Sequence, residues 1–340
     1  MKLLTRDQFR EAVFSRDNHT CVIPGCGKPA QDAHHIIERR LWSDGGYYLD
    51  NGASVCGEHH IQCETTEISV EDIREYAGIK KAIVPEHMYD DVVYDKWGNT
   101  ILPNGLRTKG ELFHDESVQK ILVDVLDLFT DYVKYPRTFH APWSYCVHSD
   151  DKVIPTTEVF EGKRVIVTEK MDGENTTLYR NYFHARSIDS KNHESRNLAK
   201  ALHATFAHEI PEGWRICCEN LYMVHSIKYN DLKSVLYGLS VWNEKNECLD
   251  WEDTVTWFQL LGLPQPKVLY DGLYNEHLIK DLYDNDRDWS NSEGLVVRVA
   301  DSFHFKDFKN YVMKVVRKNH VQTTKHCLLA HNIEVNGINV

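Results

Sequence analysis

Two pairs of metal-type ligands, about 30 residues apart, restrict the first part of this chain more than any other feature. Cys21 and Cys26 are separated by four residues, and Cys56 and His59 by two. Such pairs close a tetrahedral Zn²⁺ site, one pair from a knuckle and one from a helix start, so the backbone between them must fold back on itself. Cys63 is the alternative to His59 as fourth ligand. The chain holds nine cysteines, an odd number, and those outside the cluster are scattered. Intracellular thiols plus a metal site fit that usage better than a disulfide framework.

At 340 residues and 42% hydrophobic, the chain is long and apolar enough for two or three domains with real cores. No apolar run is long enough to span a bilayer, and the start, MKLLTRDQFREAVF, is too charged for a signal peptide. The expectation is a soluble cytoplasmic protein with no membrane contact. A formal net charge of −12 argues against non-specific coating of nucleic acid. It leaves room for an enzyme with a local basic channel.

Residues 1–80 concentrate Cys and His, and read as one small domain. Residues 81–150 read as a connector. It holds turn signals at Gly98-Asn99 and Pro103-Asn104-Gly105, and a helix over ESVQKILVDVLDLFTDYV, residues 116–133. A loop, YPRTFHAPWS, follows. Residues 151–325 alternate short β-branched strands with a few helices, which predicts an α+β domain of antiparallel sheets with flanking helices. Residues 326–340 read as a C-terminal tail, too short for another domain.

Around the zinc ligands, DAHHII places His34 and His35 before Ile36-Ile37, Asn51 follows a Gly-Gly turn, and His60 follows His59. This order resembles the HNH nuclease (ββα-metal) family over roughly residues 15–67. The resemblance implies that His35 is a general base, that Asn51 orients it, and that His34 and His60 belong to a divalent metal site on the scissile phosphate. A neutral imidazole accepts a proton near pH 7, and a metal stabilises charge on phosphate. The same fold without cleavage gives a zinc-stapled binding module.

The second constellation begins at VTEKMDGENTTLY, where Lys170 ends an apolar run and Asp172-Gly173 follows. Lys170-x-Asp172-Gly173 resembles motif I of the covalent nucleotidyltransferases, the ATP-dependent ligases and capping enzymes. CENLY with Glu219 resembles motif III, LYGLSVW motif IIIa, SEGLVVR with Glu293 motif IV, and MKVVRKNHV with Lys314 motif V, all in the family's order. YPRTFHAPWS, HARSIDSKNHESR and ENLYMVHSIKY bring the resemblance to the RNA ligase family of the T4 RNA ligase 2 type.

The physical chemistry agrees. A lysine amine is mostly protonated at pH 7 and must be desolvated or placed near positive charge before it can attack. The resemblance implies that Lys170 attacks the α-phosphate of ATP to give lysyl–AMP. Glu169, Asp172, Gly173, Arg186 and Glu219 are expected around the nucleotide, and Glu293 on Mg²⁺ or Mn²⁺. Lys314 is expected on the α-phosphate. Two positions depart from the family pattern. Arg317 stands near the place of a second motif V lysine, and Leu239 stands where a stacking Phe is usual, with Tyr237 as the candidate in its place. Strand alternation predicts that Tyr237 and Leu239 share a face and that Trp242 does not. His193, Ser195 and Arg196 read either as a polar loop or as phosphate contacts.

The expected function is an ATP-dependent RNA ligase that joins 3′-OH and 5′-phosphate ends. The HNH-like module is expected to process or bind the ends. The alternative is an HNH nuclease with a binding-only second half. ATP, Mg²⁺ or Mn²⁺, and Zn²⁺ are the expected cofactors, and nicked or broken RNA, or an RNA–DNA hybrid, the expected partner.

Overall fold

A computed structural model describes residues 2–145, 147, 151–284, 292–317 and 334–339. The chain forms two compact units, Met1–Val133 and Lys134–Val340. Residues 81–133, read from sequence as part of a connector, lie in the first unit, and the second opens at Lys134.

In the first unit, α1 (Arg6–Arg16) starts at Thr5, which exchanges hydrogen bonds with Gln8 in a capping box. Two short strands, β1 (Asp32–His35) and β2 (Gly52–Val55), pair antiparallel with His35 opposite Gly52. Helix α2 (Gly57–Glu64) follows β2 directly, and α3 (Val70–Tyr76) follows that. Ile36, Ile37, Ala53, Val55 and Ile73 form the core, with Met88 and Tyr94 in the same cluster. That packing is why the residues after 80 belong here. The turn signals give a hairpin of β3 (Thr100–Ile101) and β4 (Arg107–Thr108), with Gly98 and Gly105 at positive φ.

The helix expected over 116–133 is much shorter. Helix α4 covers Glu116–Ile121, a 3₁₀ segment covers Val123–Leu128, and β5 (Phe129–Thr130) then pairs in parallel with β4. Val123, Asp124, Val125 and Asp127 are weak helix formers, and pairing with β4 fixes the end of the segment as extended.

The second unit contains β6 (Phe139–His140), β7 (Arg164–Lys170), β8 (Glu174–Leu178), β9 (Phe183–Ala185) and α5 (Asn197–Phe206). Next come β10 (Arg215–Asn220), β11 (Leu236–Trp242), β12 (Glu247–Cys248), α6 (Trp251–Leu260) and β13 (Val268–Leu273). The last elements are α7 (Glu276–Asp284), β14 (Gly294–Val299), β15 (Phe303–His304), α8 (Phe308–Tyr311) and β16 (Val312–Val316). One sheet runs β15-β12-β11-β10-β8-β9 and the other β13-β7-β14-β16-β6. Except for the parallel β6–β16 pair, the ladders of both sheets are antiparallel. The α+β reading of this region therefore matches the architecture.

Period-two patterning builds the core. Val165 and Val167 of β7 point inward with Leu295, Val297, Met313 and Val315, and meet Cys217 and Trp242 of the other sheet. Ile166 points the other way, toward Trp251. Gly294 begins β14 at φ +150°, where a Cβ would sit 1.9 Å from the Val315 carbonyl oxygen. Only glycine allows β14 and β16 to approach so closely at that point.

Residues 334–339, expected as part of a C-terminal tail, are tied to the segment that follows β10. Asn336 donates to Leu221 O and Met223 O and accepts from the Tyr229 amide. Residues 326–333 of that expected tail lie outside the described residues. Asn336 is buried. Asn336→Ala strands three backbone groups, at about 1–3 kcal/mol for each that stays unsatisfied. A melting temperature several degrees below wild type is the expected result, and an unchanged one would show that the contact contributes nothing.

Burial also makes this unit acid-sensitive. His140 and His184 are buried, and desolvation pushes each pKa down to about 4. A folded pKa below the unfolded value of about 6.5 means that the unfolded chain binds protons first. Their stabilising effect is complete above about pH 6.5 and is lost as pH falls toward 4, by up to roughly 3 kcal/mol per histidine. Urea titrations between pH 7 and pH 4 should show this loss, and a flat profile would contradict it.

Candidate functional site

In the second unit, β7 delivers Lys170 at its C-terminal end, opposite Gly294 of β14. Glu293, the residue before that glycine, accepts a short hydrogen bond from Lys170 Nζ. Glu219, on β10 of the other sheet, accepts from the Gly173 amide at 3.1 Å. Lys314 stands on β16, opposite Val296. Sheet pairing thus gathers four residues that are far apart in the sequence into one place.

The glycine of the Lys-x-Asp-Gly run has a specific cause. A Cβ on Gly173 would lie 2.5 Å from the Asn220 carbonyl oxygen, so β8 could not start against β10 with any other residue there. Lys170, Glu219 and Lys314 line a cavity of about 410 Å³, within the usual size for a small-ligand site. Glu169, Gly173, Arg186 and Leu239 line it as well.

The charges are strongly coupled. Burial alone would lower the Lys170 pKa, but Glu293 and Glu219 outweigh it and raise it. Burial, with Glu293 adding to it, pushes Glu219 up to about 8. Burial and then the Lys170 charge lower Lys314. Lys170 therefore rests as an ammonium against a carboxylate, and becomes a nucleophile only when that proton leaves.

Several expected contacts sit elsewhere. Asp172 is buried, and its Oδ2 accepts from the Ser226 amide and hydroxyl and from the Ile227 amide, so it braces the segment after β10. Among the described residues that line the cavity, Asp172, Tyr237, Glu293 and Arg317 do not appear. The Arg317 amide donates to Glu293 O, and residues 318–321 of the expected motif V lie outside the described residues. Tyr237 packs with Met171, Leu221 and Leu232.

The face assignment from strand alternation was wrong for Trp242. The β10–β11 ladder shifts register between Cys217 and Cys218, which pair with Ser240 and Gly238 and leave Leu239 as the extra residue. Directly opposed residues share a face, so Tyr237, Ser240 and Trp242 follow Glu219, Cys217 and Arg215. Tyr237 and Trp242 end on one face after all. The lone glycine of the strand, Gly238, stands next to the extra residue and was the available signal. In the loop after β9, the expected polar residues bond to neighbouring groups. Arg196 grips Glu174 with two nitrogens and donates to Lys191 O, and His193 caps the short turn at Ser195.

Sequence reading passed over a further set of lining residues, namely Arg137, Asp151 and Lys152. They lie in and after YPRTFHAPWS, upstream of the lysine strand. A basic and acidic pair flanking a Pro-rich loop was the available signal.

In the first unit, Cys21, Cys26, Cys56 and His59 bring one ligand atom each to within 4.8 Å of one another. Cys21 Sγ and Cys56 Sγ lie 3.2 and 3.3 Å from His59 Nδ1, and Cys26 Sγ lies 3.9 Å from Cys56 Sγ. Tetrahedral zinc with Zn–S bonds of about 2.3 Å sets its sulfurs roughly 3.8 Å apart, so the donor set fits that ion. Cys63 is outside the group. Burial pushes its thiol up to about 12, as for a core residue.

A second group joins His34, His60 and Glu64, and Glu64 was not anticipated. Its Oε1 lies 3.4 Å from His34 Nδ1, 3.1 Å from His60 Nε2 and 3.1 Å from Lys96 Nζ. Lys96 is buried, so an internal cation already faces this carboxylate. Burial and then Lys96 push His34 down to about 3 and His35 to about 4. His35 is stacked on Phe9 at 4.6 Å with Tyr47 at its edge, and its Nε2 is buried without a hydrogen bond. Asn51 is occupied by the backbone. It accepts from the Ile37 amide and donates to Ile37 O and Gly46 O. It ties the hairpin together and lies outside the His34–His60–Glu64 group.

The sequence profile of the RNA ligase family matches residues 163–316. No curated protein matches the chain in sequence. Among solved structures, it is similar to a variant of the Naegleria gruberi RNA ligase with ATP and Mn, at 15% identity and a TM-score of 0.41. That match covers 56% of this chain and 57% of the other. An archaeal ATP-dependent RNA ligase matches at 15% identity and a TM-score of 0.38, over 54% of this chain and 48% of that one. The chain thus spans about half the length of the structures it matches. No described helix is long and apolar enough to cross a membrane.

Proposed function

We propose that the chain is an ATP-dependent RNA ligase that joins 3′-OH and 5′-phosphate ends through a lysyl–AMP intermediate on Lys170. The observation that carries this reading is the meeting of Lys170, Glu219 and Lys314 at one cavity, with Glu293 on the lysine, inside the region that matches the RNA ligase profile.

The chemistry follows from the charges. Lys170 loses its proton and attacks the α-phosphate of ATP. A phosphorus–nitrogen bond forms as the bond to pyrophosphate breaks. Lys314 offsets charge on the phosphate as a point cation, and Arg186 offers a second cation at the wall. The RNA 5′-phosphate then takes the AMP from Lys170, and the 3′-OH displaces AMP to seal the strand. Carboxylates are hard oxygen donors, and Glu293 with Glu219 suits Mg²⁺ or Mn²⁺. Held by these carboxylates, such an ion would supply positive charge to the phosphates and would offset the Glu293 charge that faces Lys170. Asp172 acts through the segment it braces.

The first unit is read as a zinc-stapled HNH-like module. The enclosed His35, the backbone-bound Asn51 and the Lys96 cation beside Glu64 favour holding RNA ends over cutting them.

Incubation with ATP and Mg²⁺ followed by intact-mass measurement tests the first step. Sealing of nicked duplex RNA bearing a labelled 5′-phosphate tests the last. One AMP per chain and a sealed product are expected. Failure to form the adduct with any nucleoside triphosphate, on protein first treated with pyrophosphate, overturns the reading.

A further inference from the structure

Residues 134–154 reach the cavity by a route that the roles above leave unused. Strand β6 lies beside β16 with His140 opposite Lys314. The His140 amide donates to Lys152 O, the Ile154 amide donates to His140 O, and the Ala141 amide donates to Lys314 O. Three backbone runs therefore lie side by side and carry His140, Asp151 and Lys314 into one corner. Asp151 and Lys314 both line the cavity.

The side chains form a chain of contacts. The Val316 amide donates to Ser144 Oγ at 3.1 Å, and that oxygen lies 2.9 Å from His140 Nδ1. His140 is 2% exposed. Its Nε2 is buried, makes no hydrogen bond, and lies 3.3 Å from Asp151 Oδ1. Asp151 Oδ1 lies 3.9 Å from Lys314 Nζ. An ionised carboxylate only accepts, so Nε2 carries the single proton of the neutral ring. Nδ1 then accepts the Ser144 hydroxyl, whose oxygen is left to accept the Val316 amide. Each member has one consistent orientation, and all are anchored to the strand that bears Lys314.

We propose that Asp151 is a positioning residue for Lys314, presented by His140 and Ser144, and that it stays beside the ammonium and keeps it aimed into the cavity while the nucleotide phosphate reacts. This rests on the nucleotidyl-transfer reading of the cavity. An ammonium has three donors, so one side faces the Asp151 carboxylate while the others face the phosphate, which meets a cation already aimed at it.

The test is single-turnover formation of the AMP adduct on the full chain at several ATP concentrations. Asp151→Asn is expected to slow the maximal rate about tenfold or more, with no rise in the half-saturating ATP concentration. In a Lys314→Met background the same substitution should change the rate by less than about twofold, because a residue that acts through Lys314 has nothing left to position. His140→Gln, which keeps an N–H near the Nε2 position, should retain most of the rate, and His140→Ala should behave like Asp151→Asn. Three results overturn the proposal: a wild-type rate in Asp151→Asn, additive losses with Lys314→Met, or a loss seen only as weaker ATP saturation. A wild-type protein that forms no adduct overturns the underlying reading instead.

Discussion

Lys170→Ala is expected to form no AMP adduct, a loss of at least about 10³-fold, while it remains folded. In the proposed reaction the nucleophile is the Nζ atom itself, and no other described lysine shares its place at the end of β7 with Glu293. Structural collapse is not expected. Removing the ammonium leaves Glu219 and Glu293 near each other, and a buried carboxylate pair relieves that repulsion by taking up a proton. Glu219, already held up to about 8 by burial, is the group poised to do so. A melting curve close to that of wild type, together with an unmodified mass, is the predicted pair of results. An adduct on the alanine variant would mean that the reacting residue lies elsewhere. Lys170→Arg keeps the charge and the ion pair but not the nucleophile, so it too should stay unmodified. That separates chemistry from electrostatics.

Removal of zinc is expected to unfold the first unit. Binding of a structural zinc in small modules is worth about 10–16 kcal/mol, comparable to the whole stability of a typical domain at about 5–15 kcal/mol. The hairpin of β1 and β2 is only four residues per strand, and Cys21, Cys56 and Cys63 sit in the same cluster as its core. A strong chelator should therefore abolish one thermal transition, and Cys56→Ser should leave less than one zinc per chain by metal analysis. A Cys63→Ala variant should retain full zinc, since Cys63 lies outside the four-atom group. A transition of full size after verified metal removal would show that the unit stands on its apolar core alone.

Local patterns carried much of this protein. The spacing of Cys21, Cys26, Cys56 and His59 predicts a cluster because ligand pairs have few other uses at that separation, and the structure brings the four together. β-Branched runs predict the sheet region because such side chains pack well on a pleated surface. Lys170, Gly173 and Glu219 were legible as a set because their motifs resemble, in order, those of the covalent nucleotidyltransferases, and the close backbone approach at Gly173 gives the physical reason for its glycine.

Other features depend on contacts between distant segments, which local periodicity does not encode. The helix expected over 116–133 stops early because β5 must pair with β4. The bulge at Leu239 arises from the register of β11 against β10, and it reverses which aromatic side chains share a face. Asp172 looks like a ligand contact in a four-residue motif, yet three donors from residues 226–227 capture it. Asp151 and His140 lie far from Lys314 in the chain and close to it only because β6 adds in parallel to β16. The sequence by itself determined the chemical inventory: a zinc-type ligand set, a lysine in a glycine turn and the acids and bases to serve it. Tertiary structure decided which of those groups face the cavity, because orientation is set by strand register and burial, and both belong to residue pairs far apart in the chain.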